Sequence, residues 1–170
     1  MRALPISRAT MADFEEITRG LDDFWGSQDK TLWTGERKQK ILNMHHVMYV
    51  HEFGDTSYVV KDSNRVAAYL FGFVVESRKL AYSSLVAVRD DYRRRGLAER
   101  LYGAFAEYAR SRGCALLRAV TAPANAPSIR FHTRRLGMTM QGEAGENGVP
   151  VVRDYAGLGE HRVVFEKALA

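Results

Sequence analysis

The sequence is poor in cysteine and contains no long apolar run. Its 170 residues include a single cysteine, Cys114, so no disulfide can form within the chain. No stretch approaches the roughly 20 apolar residues that span a bilayer, and the start, Met1 to Pro5, lacks the apolar core of a signal peptide. Hydrophobic residues make up 46% of the chain and charged residues 26%, which is typical of globular proteins. These features predict a cytoplasmic protein in a reducing setting, with no membrane partner.

The sequence also lacks the signatures of several common ligand sites. No Gly-Lys-Ser/Thr follows a glycine-rich stretch, which excludes a Walker phosphate loop, and the absence of Gly-x-Gly-x-x-Gly excludes the dinucleotide fingerprint. His45, His46 and His51 lie close together but have no matching cysteine or carboxylate cluster. A helix face or a helix end explains these histidines better than a metal does, so we predict no metal site.

Basic residues exceed acidic ones, which gives a formal net charge of +5. Arginines are concentrated in two groups, one around a glycine (Arg89, Arg93, Arg94, Arg95, Arg100) and one further along the chain (Arg130, Arg134, Arg135). A nucleic-acid-binding protein more often spreads its basic residues along an extended face or helix. The grouping therefore favours a phosphorylated cofactor over nucleic acid, although each arginine taken alone is equally well explained as solvated surface.

The spacing of apolar residues predicts a mixed α/β fold. Thr10 to Asp13 fits a capping box, and apolar residues at helical spacing follow it to Phe24. β-Branched and aromatic runs at 66–75 and 80–88 are typical of strands. The strands with predicted bounds are 4–8, 57–60, 66–75, 80–88, 115–121 and 162–167, and the predicted helices are 10–24, 36–50, 97–112 and 125–136. We expect one domain, residues 1–170, with a mixed, mostly antiparallel sheet flanked by helices in the order β-α-α-β-β-β-α-β-α-β-β.

The most informative segment runs from Leu85 to Ala98, where a buried strand leads through a tight turn into a helix. The first N–H groups of a helix have no partner within the helix, and the helix dipole adds partial positive charge there. A diphosphate can bind to such a helix start. Close approach of the backbone favours a residue without a Cβ at Gly96 and a small residue at Ala98. Taken alone, this turn is equally well explained as an ordinary strand-to-helix connection with basic side chains.

Two segments together resemble the cofactor-binding motifs of the GNAT N-acetyltransferase superfamily. The first is Arg-x-x-Gly-x-Ala at 93–98, which follows the strand that ends near Val88. The second runs from Asn125 to Met138 and is similar to the family's Asn…Ser…Phe-Tyr…Leu-Gly-Phe segment. A helix and a strand separate the two segments, as in the family, and the order of predicted elements agrees. The resemblance is firmest over roughly 80–140 and implies a GNAT-like fold.

The resemblance implies acetyl-CoA as cosubstrate, with residue roles carried over by position. Backbone groups of Val86 and Val88 would contact the acetyl and pantetheine portion. Asn125 would hydrogen-bond the pantetheine arm, and Ser128 would also reach the cofactor. The diphosphate would be held at Arg93, Arg94, Arg95, Gly96, Leu97 and Ala98. An amine would then attack the thioester directly in a ternary complex, without a metal.

The residues that transfer protons are less clearly defined. The tyrosine that serves as acid in the family is replaced by His132, and the segment from Phe131 to Gly137 is one residue longer than the family pattern. Histidine can donate a proton near neutral pH, but a packing or capping role explains His132 equally well. Tyr155 is another candidate acid, provided that the glycine-rich segment at 142–159, which contains it, folds over the cofactor. The candidate bases are Glu76, Tyr82 and Ser84, and for Glu76 a solvated strand end is the favoured alternative.

Aromatic and acidic residues occur together in the segment of the first two helices, where we expect the acceptor. They are Phe24, Trp25, Trp33, Asp22, Asp23, Asp29 and Glu36. Aromatic walls with carboxylates suit a cationic, partly apolar amine, although core and solvated roles are favoured for each residue alone. We therefore predict an N-acetyltransferase for a primary amine, on a small molecule more often than on a protein, and a homodimer by analogy. A non-catalytic acyl-CoA-binding module is the main alternative, and a nucleic-acid-binding protein is a weaker one.

Overall fold

The computed structural model describes residues 3–26 and 33–169. The strands are β1 (Ile6–Arg8), β2 (Ser57–Asp62), β3 (Arg65–Val75), β4 (Leu80–Val88), β5 (Leu116–Thr121), β6 (Thr139–Gln141), β7 (Glu143–Ala144), β8 (Pro150–Val151) and β9 (Val163–Ala168). The α-helices are α1 (Met11–Arg19), α2 (Leu21–Trp25), α3 (Gly35–Met44), α4 (Met48–His51), α5 (Leu97–Ser111) and α6 (Ala126–Arg130).

The chain divides into two compact units, which β4 and α5 both enter. The first unit comprises Met1–Phe73 and Leu85–Phe105, and the second comprises Val74–Ser84 and Ala106–Ala170. The prediction that residues 1–170 act as one domain stays a prediction.

The first unit contains strands in the order β1-β2-β3-β4, with β1 and β3 both antiparallel to β2. Helix α1 begins at the predicted capping box, in which the Thr10 side chain accepts from the Asp13 N–H and the Asp13 carboxylate accepts from the Thr10 N–H at 2.9 Å. The apolar face of α1 places Phe14 and Ile17 in a buried cluster that also contains Tyr69 of β3. Capping and burial therefore fix α1 on the core of this unit.

The second unit contains strands in the order β4-β5-β9-β6. β4 pairs with β5 in parallel over Leu80 to Ser83, as the helix between these strands requires, whereas β9 is antiparallel to both β5 and β6. β7 and β8 form a separate two-stranded ribbon. The predicted fold class, a mixed and mostly antiparallel α/β sheet flanked by helices, is confirmed.

Three predicted helices are interrupted, so their predicted bounds were wrong. The first is divided at Gly20 into α1 and α2. The second ends at Met44, because His45 adopts an extended backbone (ψ 97°) and its ring bonds back to the carbonyl of Ile41. The third is the short α6 followed by a π-helical turn, Phe131–Arg135. Local side-chain and backbone hydrogen bonds determine where these helices end, and the spacing of apolar residues does not reveal those bonds.

A buried hydrogen-bond chain joins α2, β3 and the end of α3. The Trp25 indole N–H donates to the Tyr69 hydroxyl at 2.8 Å, and that hydroxyl lies 2.8 Å from His45 Nε2. His45 Nδ1 lies 2.7 Å from the Ile41 carbonyl, which can only accept, so Nδ1 carries the proton and Nε2 accepts from Tyr69. Burial lowers the pKa of His45 and raises the pKa of Tyr69. Both groups are therefore neutral at neutral pH.

We expect His45 to make the protein less stable in mild acid. Its folded-state pKa lies below the unfolded value of about 6.5, so below that pH the unfolded chain binds the additional proton and stability falls as pH falls. Between pH 7 and pH 5, His45→Gln should make the free energy of unfolding less dependent on pH, by at most about 1.4 kcal/mol per pH unit. Urea unfolding across this range measures the slope. The exposed His46 provides the control, His46→Gln, and equal slopes for the two variants would contradict the assignment.

Candidate functional site

The turn after β4 presents backbone N–H groups at the start of α5. After a 3-10 turn, Asp90–Tyr92, both Arg94 and Gly96 adopt left-handed backbone conformations, with φ of 58° and 72°. Left-handed residues in a turn can direct successive N–H groups to one side, which forms a concavity for an anion. Among the described residues, the N–H groups of residues 94–98 donate to no acceptor. These groups and the dipole of α5 together form a site that fits a diphosphate.

Arg93 holds this turn in place rather than facing solvent. Its guanidinium donates to the carbonyls of Val88 at 3.3 Å and Phe24 at 3.0 Å, and it forms an ion pair with Asp90 at 2.9 Å. A side chain with these three partners has little freedom to reach a ligand. Within the predicted diphosphate site, Arg93 therefore connects the turn to the C-terminal end of α2.

The next two arginines differ from Arg93 and from each other. Arg95 donates to the Asp91 carbonyl at 2.8 Å, and its guanidinium carbon lies 5.0 Å from the centre of the Tyr92 ring. Arg94 is exposed and makes no hydrogen bond or ion pair with any described residue. All three arginines line a surface depression together with Asp90 and Asp91. Among these three arginines, Arg94 is thus the one whose side chain can reorient toward an anion without breaking a hydrogen bond or ion pair to a described residue.

Arg89, at the end of β4, is a buried charge with four partners. Its side chain is 6% exposed and pairs with Glu16 at 2.8 Å and Asp23 at 2.5 Å. Its Nε donates to the Val66 carbonyl at 2.8 Å, and its guanidinium carbon lies 4.5 Å from the centre of the Phe24 ring. The sequence placed Arg89 among the arginines around the glycine turn, with solvated surface as the alternative. In the structure it joins β4 to α1, α2 and β3.

Burial alternates along β4, so its half-buried residues share one face of the strand. These residues are Tyr82, Ser84, Val86 and Val88. The predicted base candidates Tyr82 and Ser84 therefore lie on the same strand face as the two valines whose backbone was predicted to contact the cofactor.

Asn125 and Ser128 lie at the start of α6 in the second unit. The Asn125 side-chain oxygen accepts from the Ser128 N–H at 3.2 Å and so caps the helix. The Asn125 amide nitrogen makes no hydrogen bond to a described residue. This side chain can therefore cap α6 and still donate a hydrogen bond to a ligand.

His132 is buried and is arranged as a packed, capping residue. Its Nδ1 lies 2.8 Å from the Ser128 carbonyl, and its ring stacks on Phe165 with 4.5 Å between ring centres. The carbonyl can only accept, so Nδ1 carries the proton, and burial lowers the pKa of His132. The neutral ring then has an unprotonated Nε2. This arrangement weighs against the donor role implied by the resemblance, which stays a prediction.

The two other predicted catalytic residues have different surroundings. The Glu76 carboxylate is half exposed and accepts from the guanidinium of Arg112, whose Nε lies 2.7 Å from one carboxylate oxygen. A base role for Glu76 would require this ion pair to open. The Tyr82 hydroxyl, in contrast, accepts a hydrogen bond from the Tyr155 hydroxyl at 3.3 Å.

The carboxylates predicted near the acceptor already have cationic partners where the structure describes them. Asp22 accepts from the Trp33 indole and from Lys38, each at 2.6 Å, and these bonds lower the pKa of Asp22. Asp23 pairs with Arg89, as above, and Glu36 lies 3.5 Å from Lys40. Asp29 lies outside the described residues. The charges of Asp22, Asp23 and Glu36 are therefore largely neutralised by basic residues of the protein.

The aromatic residues predicted for the same region divide between core and surface. Phe24 is a core residue, 1% exposed, and Trp25 is held by its bond to Tyr69. Trp33 is half buried next to Gly26, where an added Cβ would come within 2.9 Å of its indole nitrogen. The core interpretation is thus correct for Phe24, while Trp25 and Trp33 retain partly exposed rings that an acceptor could contact.

Two arrangements could not be predicted from the sequence. Arg89 finds partners 73 and 66 residues away, and Arg118 pairs with Glu166 across β5 and β9. Both depend on strand register and helix placement, for which the sequence carries no local signal. Within the described parts of the chain, no group of three metal-ligating side chains occurs and no helix is long and apolar enough to cross a membrane.

Comparison with known proteins gives one family and many related folds. The model of the acetyltransferase (GNAT) family matches residues 14–138. Ard1 from Thermoplasma volcanium is 20% identical, with a TM-score of 0.70 over 99% of both chains. PaiA N-acetyltransferase from Thermoplasma acidophilum, solved with coenzyme A, is 11% identical, with a TM-score of 0.69 over 98% of this chain and 99% of its own.

A third structure is yncA from Salmonella typhimurium, solved with its cofactor acetyl-CoA. It is 20% identical to this chain, with a TM-score of 0.65 over 99% of this chain and 95% of its own. At such identities these three likenesses show a common fold. No curated protein matches the sequence significantly.

Removing the buried charge at position 89 should destabilise the first unit. Arg89→Met removes the cation that pairs with Glu16, which keeps only its bond from the Val66 N–H, and removes the donor to the Val66 carbonyl. We expect a loss of about 3 kcal/mol, at the low end for a broken buried pair because Asp23 is half exposed. Urea unfolding measures the change. Arg94→Met is the matched control, with an expected change within about 0.5 kcal/mol. Equal losses for the two variants would show that Arg89 is not the structural centre of this unit.

Proposed function

Because the chain belongs to the acetyltransferase (GNAT) family, we propose that it transfers an acetyl group from acetyl-CoA to a primary amine. The family model covers residues 14–138, and two of the related structures hold coenzyme A or acetyl-CoA. We propose a small molecule rather than a protein as the bearer of the amine. In this proposal residues 1–170 act as a single acetyltransferase domain.

The observation that carries the proposal is the set of N–H groups at residues 94–98 that donate to no described acceptor. In the proposed complex these groups bind the diphosphate, and Gly96 permits the backbone to come close. Arg94 adds a charge-assisted bond. Arg93, whose side chain is held by Phe24, Val88 and Asp90, contributes by keeping the turn in shape.

Further contacts follow from the roles that the resemblance implies. The backbone of Val86 and Val88 would bind the acetyl and pantetheine portion. The Asn125 amide nitrogen would donate to the pantetheine arm while its oxygen continues to cap α6, and Ser128 would also reach the cofactor. Asn125 thus keeps its structural bond and uses a different atom for the ligand.

The bound acetyl-CoA supplies an activated thioester, and the protein must present a neutral amine to it. In the proposed mechanism the amine attacks directly in a ternary complex. Tyr82 and, after release from Arg112, Glu76 are the candidate bases. The partly exposed rings of Trp25 and Trp33 suit a partly apolar acceptor with one positive charge, since Asp22 and Asp23 are already paired.

A non-catalytic acyl-CoA-binding module is the second candidate function. It is favoured by one observation, the neutral ring of His132, whose Nδ1–H is bonded to the Ser128 carbonyl. Such a protein would bind acetyl-CoA and release no thiol with any amine. The two functions therefore share the binding site and differ in turnover.

Acetyl-CoA should bind stoichiometrically and in preference to ATP and NAD. Calorimetric titration of the folded protein measures this, because the proposed site recognises the diphosphate together with the pantetheine arm. A panel of primary amines should then release free thiol from acetyl-CoA, measured with a thiol reagent. Binding without thiol release would favour the module, and affinity equal for all polyanions with a steep salt dependence would favour nucleic-acid binding.

Gly96→Val should abolish acetyl-CoA binding. A β-branched side chain at φ 72° strains the turn and blocks the approach of the phosphates to the backbone. Gly113→Val is a matched control, since Gly113 follows the other end of α5, has φ 74° and has open space around an added Cβ. We expect the control variant to lose stability but keep its affinity for acetyl-CoA. Retained affinity in a folded Gly96→Val protein would contradict the proposed position of the site.

A further inference from the structure

Carboxylates surround the turn that is proposed to bind the diphosphate. Asp90 and Asp91 line the same depression as the three arginines of the turn. Glu99 belongs to the first turn of α5, and its Oε2 lies 3.3 Å from the point that a Cβ on Gly96 would occupy. A carboxylate repels a nearby phosphate, so each of these charges opposes binding of the diphosphate unless a cation compensates it.

The two aspartates are compensated by arginines from different parts of the chain. Asp90 forms an ion pair with Arg93, three residues further along the same turn, at 2.9 Å. Asp91 instead accepts from Arg65, the first residue of β3, at 2.5 Å. This hydrogen bond is the main cause that lowers the pKa of Asp91 below its ordinary value, so the carboxylate is charged at neutral pH. The cation that compensates Asp91 therefore comes from outside the turn.

Contacts of the first unit hold Arg65 next to Asp91. Arg65 is the register partner of Asp62 at the end of the β2–β3 hairpin, and Asp62 accepts from the hydroxyl of the buried Tyr92 at 2.8 Å. The guanidinium carbon of Arg65 lies 5.6 Å from the centre of the Tyr92 ring. Tyr92 thus joins the turn to the hairpin, and Arg65 is placed by the same contacts.

The ion pair between Arg65 and Asp91 is too exposed to contribute much to stability. The two side chains are 46% and 54% exposed, and ion pairs between exposed groups add little to the free energy of unfolding. Either side chain can therefore be replaced in a protein that still folds. A charge beside an anion site, in contrast, acts on the anion even where it adds nothing to stability.

We propose that Arg65 is a positioning residue for acetyl-CoA, because it neutralises Asp91 beside the diphosphate and so allows an anion to bind among carboxylates. The inference rests on the proposed binding of the diphosphate at residues 94–98. Arg65 acts through Asp91 and has no need to touch the ligand. A residue 26 positions before Asp91, in a hairpin outside the turn, thereby helps to set the affinity for the cosubstrate.

Removal of the two partners should have opposite effects on affinity. Arg65→Met leaves Asp91 uncompensated, and we expect the Kd for acetyl-CoA to rise about fivefold, as for one unit charge acting near a protein surface. Asp91→Asn removes the repelling charge but keeps an oxygen that can accept from Arg65, so the Kd should fall. The double variant should bind within about twofold of the wild type, since both charges are then absent. Calorimetric titration of the folded proteins measures all three.

A merely structural ion pair predicts a different pattern. If the pair only shaped the turn, each single variant would bind more weakly and the double variant would not recover the affinity. Arg19→Met is the matched control, because it removes the arginine of another exposed ion pair, with Glu15 on α1, and changes the net charge equally. Its Kd should equal that of the wild type. Weaker binding by Asp91→Asn, or a wild-type Kd in Arg65→Met, would overturn the inference.

Salt provides a second measurement that a structural role would not affect. At 1 M salt, charges act over only about 3 Å, so the difference in Kd between the wild type and Arg65→Met should nearly vanish. A difference that persists at 1 M salt would contradict the electrostatic role and leave the proposed function standing. Failure of the folded wild type to bind acetyl-CoA at any salt concentration would instead overturn the proposed function, and this inference with it.

Discussion

The buried guanidinium of Arg89 joins four elements of the first unit. A charge removed from water must be paired and hydrogen-bonded, or the folded state loses several kcal/mol. Its partners, Glu16, Asp23 and the Val66 carbonyl, belong to α1, α2 and β3. Satisfying one side chain therefore fixes the end of β4 against three other elements. The turn that leads into α5 begins at the next residue, Asp90, and therefore starts from a fixed point.

The arginines of this region therefore do not act together as one anion-binding group, although they are close in sequence. Arg89 and Arg93 hold protein groups, and Arg95 bonds to its own turn at Asp91. Only Arg94 has no hydrogen-bonding or ionic partner among the described residues. Recognition of an anion here would rest mainly on backbone N–H groups, whose positions are set by the left-handed conformations of Arg94 and Gly96. The net charge of the chain is therefore a poor guide to how strongly this turn would bind a phosphate.

The parts of the fold that depend on local spacing could be predicted, and those that depend on distant partners could not. The capping box at Thr10 and the strand-to-helix turn at Gly96 are visible in a few consecutive residues. The break at His45 depends on a bond from its ring to the Ile41 carbonyl. The Tyr82–Tyr155 bond joins residues 73 positions apart. From the sequence, a role for Tyr155 could therefore be predicted only on the assumption that its loop folds over the cofactor.

The π-helical turn at Phe131–Arg135 has a consequence for comparing this chain with its relatives. Its closing bond joins the Leu136 N–H to the Phe131 carbonyl, five residues apart instead of four. A widened turn of this kind absorbs one inserted residue while the helix on either side keeps its place. Without such a turn, every residue beyond an insertion would be rotated by about 100° around the helix axis. His132 is the second residue of this turn, so its place in an alignment does not by itself fix the direction of its side chain. Across such an insertion, equivalence between members of the family is better judged by the direction of a side chain than by its place in the alignment.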